Sequence, residues 1–301
     1  MNSLVQEISE LRRARRAIIL AHNYQPDAIQ DLADVVGDSL ALSQAAAANA
    51  AEVIVFCGVH FMAENAAILA PEKKVILPAL DAGCPLAEMA DPEAVEAARA
   101  AHPGATVVAY VNTSAAVKAV SDYCCTSSNA VRVVRAVPAD EVIFLPDRNL
   151  GHYVATQVPE KKIHIWPGFC RTHHRVRVED VERARAAYPD APILMHPECP
   201  PPVVAMADFV GSTSQIIARA RAMQERTLII GTEMGILHQL KRENPEKTFF
   251  MLTPGLVCPN MKRTSPERVR DGLRDLKPEV TVSEPIRGRA RLALERMLAL
   301  G

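Results

Sequence analysis

A threefold repeat constrains the fold of this chain more than any other feature of its sequence. Cys84, Cys170 and Cys258 each follow a short apolar run and lie 86 and 88 residues apart. Three further sets of polar residues keep intervals of 88 and 86 residues: His22, Tyr110 and His196; Tyr24, Asn112 and Glu198; and Ser39, Ser127 and Thr213. Self-similarity at a fixed period indicates one supersecondary unit that occurs three times.

Within each unit, strand-like runs alternate with helical patterns. The runs that begin the first unit, 17–24 and 52–58, are unbroken and rich in Val, Ile and Leu, as in parallel strands covered on both faces. Helical patterns follow the three cysteines at 91–103, 178–189 and 265–278, and each ends at a proline. We therefore expect an α/β fold of three similar αβα parallel-sheet domains, arranged with pseudo-threefold symmetry around a central active site.

The period also predicts where the units begin and end. We expect a first αβα repeat at 1–86, joined by the C-terminal segment 276–301, a second at 87–172 and a third at 173–275. Residues 1–17 carry acids among their basic residues and no apolar core of secretory type. They are typical of an amphipathic helix rather than a targeting peptide.

The composition excludes two classes of partner. The net charge is −1 and no Lys/Arg cluster occurs, which argues against a nucleic-acid partner. No run of about 18 apolar residues exists, which argues against a membrane partner. We expect a soluble, cytoplasmic protein.

The repeated polar residues lie where ligands bind in α/β sheets, outside the carboxyl ends of the strands. Three units that meet there would bring Cys84, Cys170 and Cys258 to one point. Three thiolates could hold zinc with an open fourth position, or a [4Fe–4S] cluster with one iron that lacks a protein ligand. Three buried packing thiols are the alternative, and the spacing alone does not choose among these interpretations.

The other repeated residues indicate anion binding and proton transfer. Hydroxyl residues at predicted helix starts, Ser39, Ser127, Ser212 and Thr213, act either as N-caps or as anion contacts. His22, Tyr110, His196 and Glu198 form a candidate acid–base group. Lys118 lies in a helical pattern that predicts an exposed side chain, so we assign it no catalytic role.

The remaining cysteines are interpreted as packing thiols or left open. The total of seven is odd, which argues against a disulfide framework. Cys57 follows a buried strand, and Cys124 and Cys125 lie in a segment that we predict to be helical. Cys199 adjoins Glu198, so its role stays open.

At this point the motifs identify a family. They are AHNYQ (21–25), GDSLALS (37–43), GCP (83–85), YVNTSA (110–115), TSSNA (126–130), HPEC (196–199), GSTS (211–214), GTEMG (231–235) and CPNMK (258–262). Over essentially the whole chain they resemble the quinolinate synthase family.

The resemblance implies an activity and a cofactor. It implies condensation of iminoaspartate with dihydroxyacetone phosphate to quinolinate, with loss of phosphate and water, on the route to NAD. It implies a [4Fe–4S] cluster held by Cys84, Cys170 and Cys258, with the open iron as Lewis acid. An enzyme that produces iminoaspartate is an expected partner.

The resemblance also assigns roles to the residues of the site. Tyr110, Glu198 and His196 are the expected catalytic residues. The expected substrate contacts are His22, Tyr24, Ser39, Asn112, Ser127, His173, Ser212 and Thr213.

Two segments depart from the family pattern. CPNMKRT has only Cys258 where some members carry a CxxCxxC run, so a disulfide switch is not expected here. Arg171 stands where we expect proline, and His173 is doubled by His174. Of the two histidines, His173 is the better candidate for the site.

Three other functions remain as rivals. A diphthamide-type radical enzyme also uses three cysteines from three similar domains, but AHNYQ and HPEC do not belong to its pattern. A non-catalytic iron–sulfur sensor would not need the acid–base residues. A zinc hydrolase would be revealed by metal analysis.

Overall fold

The computed structural model describes residues 2–301 and contains three four-stranded sheets. Every strand pair within them is parallel. In each sheet the strand that comes first along the chain lies second in space, between the second and the third strand. The predicted α/β class and the three similar parallel sheets are confirmed.

The first sheet is built from the N-terminal part of the chain. Its elements are α1 (Asn2–Ala14), β1 (Ala17–His22), α2 (Asp27–Gln30), β2 (Val35–Gly37), α3 (Ser39–Ala48), β3 (Val53–Cys57), α4 (His60–Leu69) and β4 (Lys74–Ile76). The strand order is β2-β1-β3-β4. The amphipathic helix predicted at the N-terminus corresponds to α1.

The second sheet repeats this order. Its elements are α5 (Pro92–Ala101), β5 (Thr106–Tyr110), α6 (Ala115–Ala119), β6 (Tyr123–Cys125), α7 (Ala130–Ala136), β7 (Glu141–Leu145), α8 (Arg148–Gln157) and β8 (Lys162–Ile165). The strand order is β6-β5-β7-β8. Asp91 caps α5 and Pro92 follows it, so the start of this helix is fixed by its own sequence.

The third sheet follows after a short helix. Its elements are α9 (Arg171–His174), α10 (Val178–Ala187), β9 (Ile193–Met195), α11 (Pro201–Val204), β10 (Phe209–Val210), α12 (Thr213–Ala222), β11 (Thr227–Gly231), α13 (Ile236–Glu243) and β12 (Thr248–Met251). The strand order is β10-β9-β11-β12.

Two helices complete the chain, α14 (Pro266–Asp275) and α15 (Glu284–Ala299). Val269 and Leu273 of α14 pack in one core cluster with Ile8 of α1 and with β1 and β3, so α14 covers the first sheet. Between these helices, the amide of Val280 donates to the carbonyl of Val75 on β4. α15 packs against α4, α6 and β6. The unit boundaries stay a prediction.

Both faces of the first sheet are buried, as the alternation of side chains along β3 shows. In β3, Val53, Val55 and Cys57 face the cluster that contains α1 and α14. Ile54 and Phe56 face the opposite cluster with α3 and α4. A run that is apolar at every position is therefore needed, because successive side chains point to opposite faces.

Near the amino ends of its strands, which we call the amino edge, each sheet has an aspartate that accepts a backbone hydrogen bond. Asp34, Asp122 and Asp208, which we call the amino-edge carboxylates, accept hydrogen bonds from the amides of Ile19, Val107 and Ile193, each at 2.8 Å. Each of the three also pairs with an arginine: Arg12, Arg99 and Arg185 respectively. The intervals of 88 and 86 residues between the three aspartates are those of the repeat.

Two local predictions are wrong. Cys124 and Cys125 lie on strand β6, not in a helix, and both are fully buried. Lys118 is not exposed: it is fully buried, and its side chain is directed at Phe61 of α4. Its ammonium donates to the Thr113 carbonyl and lies 5.5 Å from the centre of the Phe61 ring. Burial lowers the pKa of Lys118.

Among residues 2–301, no helix combines the length and the apolar character that a membrane span requires.

Candidate active site

A cavity of about 390 Å³ lies at the carboxyl ends of strands from all three sheets. It is lined by every residue that the sequence assigned to the site except Ser212: Cys84, Cys170, Cys258, His22, Tyr24, Ser39, Tyr110, Asn112, Ser127, His173, His196, Glu198 and Thr213. The repeat period therefore brings equivalent residues of three units to one place.

Ser212 lies behind this cavity, in a chain of hydrogen bonds between units. Its hydroxyl caps α12 by accepting from the Gln215 amide at 3.2 Å. Ser128 shares a 2.8 Å hydrogen bond with Ser212 and donates to Asp38 at 2.6 Å. Asp38 in turn caps α3. These hydrogen bonds join the helix starts of the three units, close in sequence to the hydroxyls of Ser39 and Thr213.

Glu198 is the centre of the acid–base group. One carboxylate oxygen lies 2.7 Å from Nδ1 of His173 and 3.7 Å from Nδ1 of His196. Burial alone would raise the pKa of Glu198, but the hydrogen bond and charge of His173 outweigh it and lower the pKa to about 2. Glu198 is therefore ionised at neutral pH.

The two repeat-related histidines are held without charge. Burial lowers the pKa of His22 to about 4 and the pKa of His196 to about 3. Nε2 of His196 shares a hydrogen bond with the Ser127 hydroxyl at 3.2 Å. At neutral pH each imidazole accepts a hydrogen bond at one ring nitrogen and donates one at the other, and neither carries a positive charge.

Two phenols face the same carboxylate. Burial raises the pKa of Tyr110 well above its usual value, and the Glu198 charge raises it further. Burial likewise raises the pKa of Tyr24. The Tyr24 hydroxyl shares hydrogen bonds with Thr213 at 2.8 Å and with Thr232 at 2.7 Å. Both phenols are thus protonated at neutral pH and can act as donors.

Some polar atoms around the cavity have no partner within the described part of the chain. They include Oε1 of Glu198 and Oδ1 of Asn112, both buried. A buried acceptor without a bond costs about 1–3 kcal/mol. These two oxygens are therefore placed to accept hydrogen bonds from a bound molecule.

The three cysteines of the cavity are set apart from the other four. Burial raises the pKa of Cys84 to about 12 and also raises the pKa of Cys170 and Cys258. A cationic group is needed to hold all three as thiolates, and a metal centre would supply that charge. The other four cysteines are fully buried and do not line the cavity, as is expected of packing thiols: Cys57, Cys124, Cys125 and Cys199.

Sequence reasoning missed several residues of the site. Thr232 joins the Tyr24 hydroxyl to Nε2 of His173, which lies 2.9 Å from Oγ1. Arg171 and Arg175 line the cavity and are exposed. No spacing signalled these residues. Thr232 directly follows β11, whereas Arg171 and Arg175 lie in and just after the short helix α9.

A group of possible metal ligands outside the cavity, His102, Glu141 and His164, lies at the amino edge of the second sheet. Its possible ligand atoms are within 4.8 Å of one another. However, Glu141 already bonds Nε2 of His164 at 2.7 Å and pairs with Lys162 at 3.3 Å. The two imidazole rings are stacked with centroids 3.6 Å apart. These groups satisfy one another, whereas Oε1 of Glu198 in the cavity has no partner within the described part of the chain.

Three parallel sheets that bring thiols, an ionised carboxylate, neutral imidazoles and phenols into one cavity define an α/β enzyme with a thiol-rich acid–base site. The family model described as quinolinate synthetase A protein matches residues 6–299. The chain belongs to the quinolinate synthase family.

Individual relatives match along their full length. The quinolinate synthase of Caldicellulosiruptor saccharolyticus is 54% identical over 300 residues, which cover 100% of this chain and 99% of that protein. That of Geobacter metallireducens is 54% identical over 299 residues, covering 99% and 98%. That of Thermodesulfovibrio yellowstonii is 50% identical over 300 residues, covering 100% and 99%. The resemblance drawn from the motifs is confirmed.

Proposed function

We propose that this enzyme condenses iminoaspartate with dihydroxyacetone phosphate to quinolinate, with loss of phosphate and water, in the cytoplasm and on the route to NAD. The observation that carries the proposal is the single cavity in which three thiols meet Glu198 and Tyr110. An enzyme that produces iminoaspartate would supply the first substrate.

Cys84, Cys170 and Cys258 would hold a [4Fe–4S] cluster. The donor set fits: it contains three thiols, and no fourth cysteine is among the residues that line the cavity. Such a cluster keeps one iron without a protein ligand. When bound, it supplies Lewis acidity toward a substrate oxygen or carboxylate and so assists dehydration.

The protein's own residues would position the substrates. Ser39, Ser127 and Thr213 present hydroxyls near helix starts, where anionic groups are favoured. The other contacts are Tyr24, His22, Asn112 and His173, which also line the cavity. Ser212 supports them from outside the cavity through Ser128. The partnerless oxygen of Asn112 would accept a hydrogen bond from a substrate N–H or O–H.

Proton transfer would fall to three residues whose charge states are set by the site. Glu198 is ionised and can accept a proton from a carbon or nitrogen of the substrate. Tyr110 keeps its proton and can donate a proton or a hydrogen bond to an oxygen that leaves or enolises. His196 is neutral and can relay a proton between substrate and Glu198.

Anaerobic purification tests the proposal most directly. The visible spectrum, iron and sulfide content distinguish a cluster from zinc, and an assay with both substrates detects quinolinate. We expect about four irons and four sulfides per chain, as a [4Fe–4S] cluster contains, together with quinolinate formation. A cluster without quinolinate would favour the sensor, zinc without sulfide a hydrolase, and cleavage of S-adenosylmethionine the radical enzyme.

A further inference from the structure

The three units differ at one repeat position beside the cysteine loops. The residue two places after the third strand in chain order of each sheet is Val59, Asp147 or Glu233, at intervals of 88 and 86 residues. We call Asp147 and Glu233 the carboxyl-edge carboxylates. The first unit carries an apolar side chain where the other two carry an acid.

Asp147 connects the Cys170 amide to a helix start. Its Oδ2 accepts a hydrogen bond from the Cys170 amide at 2.8 Å. Its Oδ1 accepts from the amides of Asn149 and Leu150 at 2.9 and 2.8 Å, which caps α8. The side chain is fully buried. The backbone at Cys170 is therefore fixed to the rigid end of α8.

Glu233 makes the corresponding connection in the third unit. Oε1 accepts from the Cys258 amide at 3.0 Å, and Oε2 accepts from the Gly235 amide at 2.7 Å. The Lys262 ammonium pairs with this carboxylate at 2.9 Å and also donates to the Tyr24 carbonyl. The Glu233 side chain is fully buried. Its charge is thus matched by one cation, and the Cys258 loop is fixed to the first unit.

The loop of Cys84 is held in another way. The Val59 side chain has no acceptor, and within residues 2–301 no carboxylate accepts a hydrogen bond from the Cys84 amide. Instead the Cys84 carbonyl accepts from the Ala87 amide at 2.9 Å, and Asn260 donates to the Gly83 carbonyl at 2.8 Å. A hydrogen bond from the cysteine amide to a carboxylate is therefore not shared by all three cysteine loops.

We propose that Asp147 and Glu233 are positioning residues that hold the Cys170 and Cys258 loops in the geometry that cluster binding requires. The inference rests on the cluster of the proposed function. Partners of ligand residues commonly change metal affinity 10- to 100-fold when they are altered. An amide that donates to a carboxylate also cannot donate to a cluster sulfur, and such hydrogen bonds help to set the reduction potential.

The isosteric amides test this role. In Asp147→Asn and Glu233→Gln one oxygen becomes an NH₂ group, which cannot accept from the backbone amide that it faces. After anaerobic reconstitution we expect each variant to release iron to a chelator about tenfold faster than the unaltered protein. The EPR spectrum of the reduced cluster should change in both variants. In Glu233→Gln the potential should rise, because a negative charge near the cluster is lost.

Asp122→Asn is the matched control, because Asp122 makes the same kind of bond to the Val107 amide at the amino edge. It should lower the melting temperature without changing iron release or the EPR spectrum. The two test variants act on different loops, so one that fails to fold leaves the other decisive.

Three results would overturn the inference. One is iron release and EPR spectra in both test variants that equal those of the unaltered protein. Another is the same losses in Asp122→Asn. The third is unaltered protein that takes up no iron, which refutes the proposed function itself and is seen before any variant is made.

Discussion

The two edges of the sheets carry carboxylates of the same kind but in different numbers. At the amino edge, all three units have an aspartate that bonds a strand amide: Asp34, Asp122 and Asp208. At the carboxyl edge, within residues 2–301, only the second and third units have a carboxylate that bonds the amide of the cavity cysteine, Asp147 and Glu233. A bond that all units share belongs to the fold. A bond that only some units keep indicates a local demand of the site.

The largest expected effect concerns the cysteines at the carboxyl edge. Ser in place of Cys84, Cys170 or Cys258 should abolish iron binding, because each is one of only three thiols that line the cavity. Cys57→Ser is the control, since Cys57 is fully buried outside the cavity. Iron and sulfide analysis of the anaerobic proteins decides, and a full cluster in Cys170→Ser would exclude the assignment.

Tyr110→Phe should have the next largest effect. It keeps the ring but removes the hydroxyl that faces Glu198, so turnover should fall at least about a hundredfold while the cluster remains. Steady-state and single-turnover assays measure this. Tyr153→Phe, a half-buried tyrosine of α8 outside the cavity, should behave as the unaltered enzyme. Unchanged turnover in Tyr110→Phe would transfer its role to Glu198 and His196.

A third effect is the pH dependence of stability. Burial lowers the pKa of His22 to about 4 and of His196 to about 3, whereas unfolded histidines titrate near about 6.5. Between about pH 6.5 and 4 the unfolded chain therefore binds more protons than the folded one. The free energy of unfolding should fall as pH falls, by about 1.4 kcal/mol per pH unit for each histidine.

Thermal unfolding between pH 7 and 4.5 measures this slope. Replacing both histidines by Gln should make the slope shallower, whereas His152→Gln, on an exposed surface, should not. The prediction fails if the double variant keeps the slope of the unaltered protein.

The smallest effect is expected at the amino edge. Asp208→Ala removes the acceptor of the Ile193 amide and the partner of Arg185, which should cost about 1–3 kcal/mol of unfolding free energy. Turnover at 25 °C should not change, because Asp208 does not line the cavity. Chemical denaturation and activity assays check the two parts. Loss of iron in this variant would erase the contrast between the edges.

The long strands and the site were predictable because each rests on a pattern. β3, β7 and β11 are five-residue strands whose buried positions are almost all apolar, as burial on both faces requires. The thirteen predicted cavity residues followed from the period and the family motifs. Parallel strands place their carboxyl ends together, so equal spacing became proximity.

What the sequence did not reveal depends on short or distant contacts. β2, β6 and β10 have only two or three residues, too few to show a period, and this is why Cys124 and Cys125 were assigned to a helix. Lys118 was misplaced because its side chain packs against Phe61, a residue of α4 that is distant in sequence. Asp147 and Glu233 lie at the repeat period, but the equivalent residue of the first unit is the apolar Val59, so the sequence shows no threefold polar position there.

The position of α14 has a consequence for how the molecule unfolds. α5 and α10 each pack on the sheet that follows them in the chain, through Val95 and Val181. No fourth sheet follows α14, and its Val269 and Leu273 pack instead on the first sheet. The C-terminal part of the chain thereby shields the core of the first sheet, and α15 packs against α4 and α6, which flank the first two sheets. Melting of this C-terminal part exposes the first sheet, so heat should denature the chain in a single cooperative calorimetric transition.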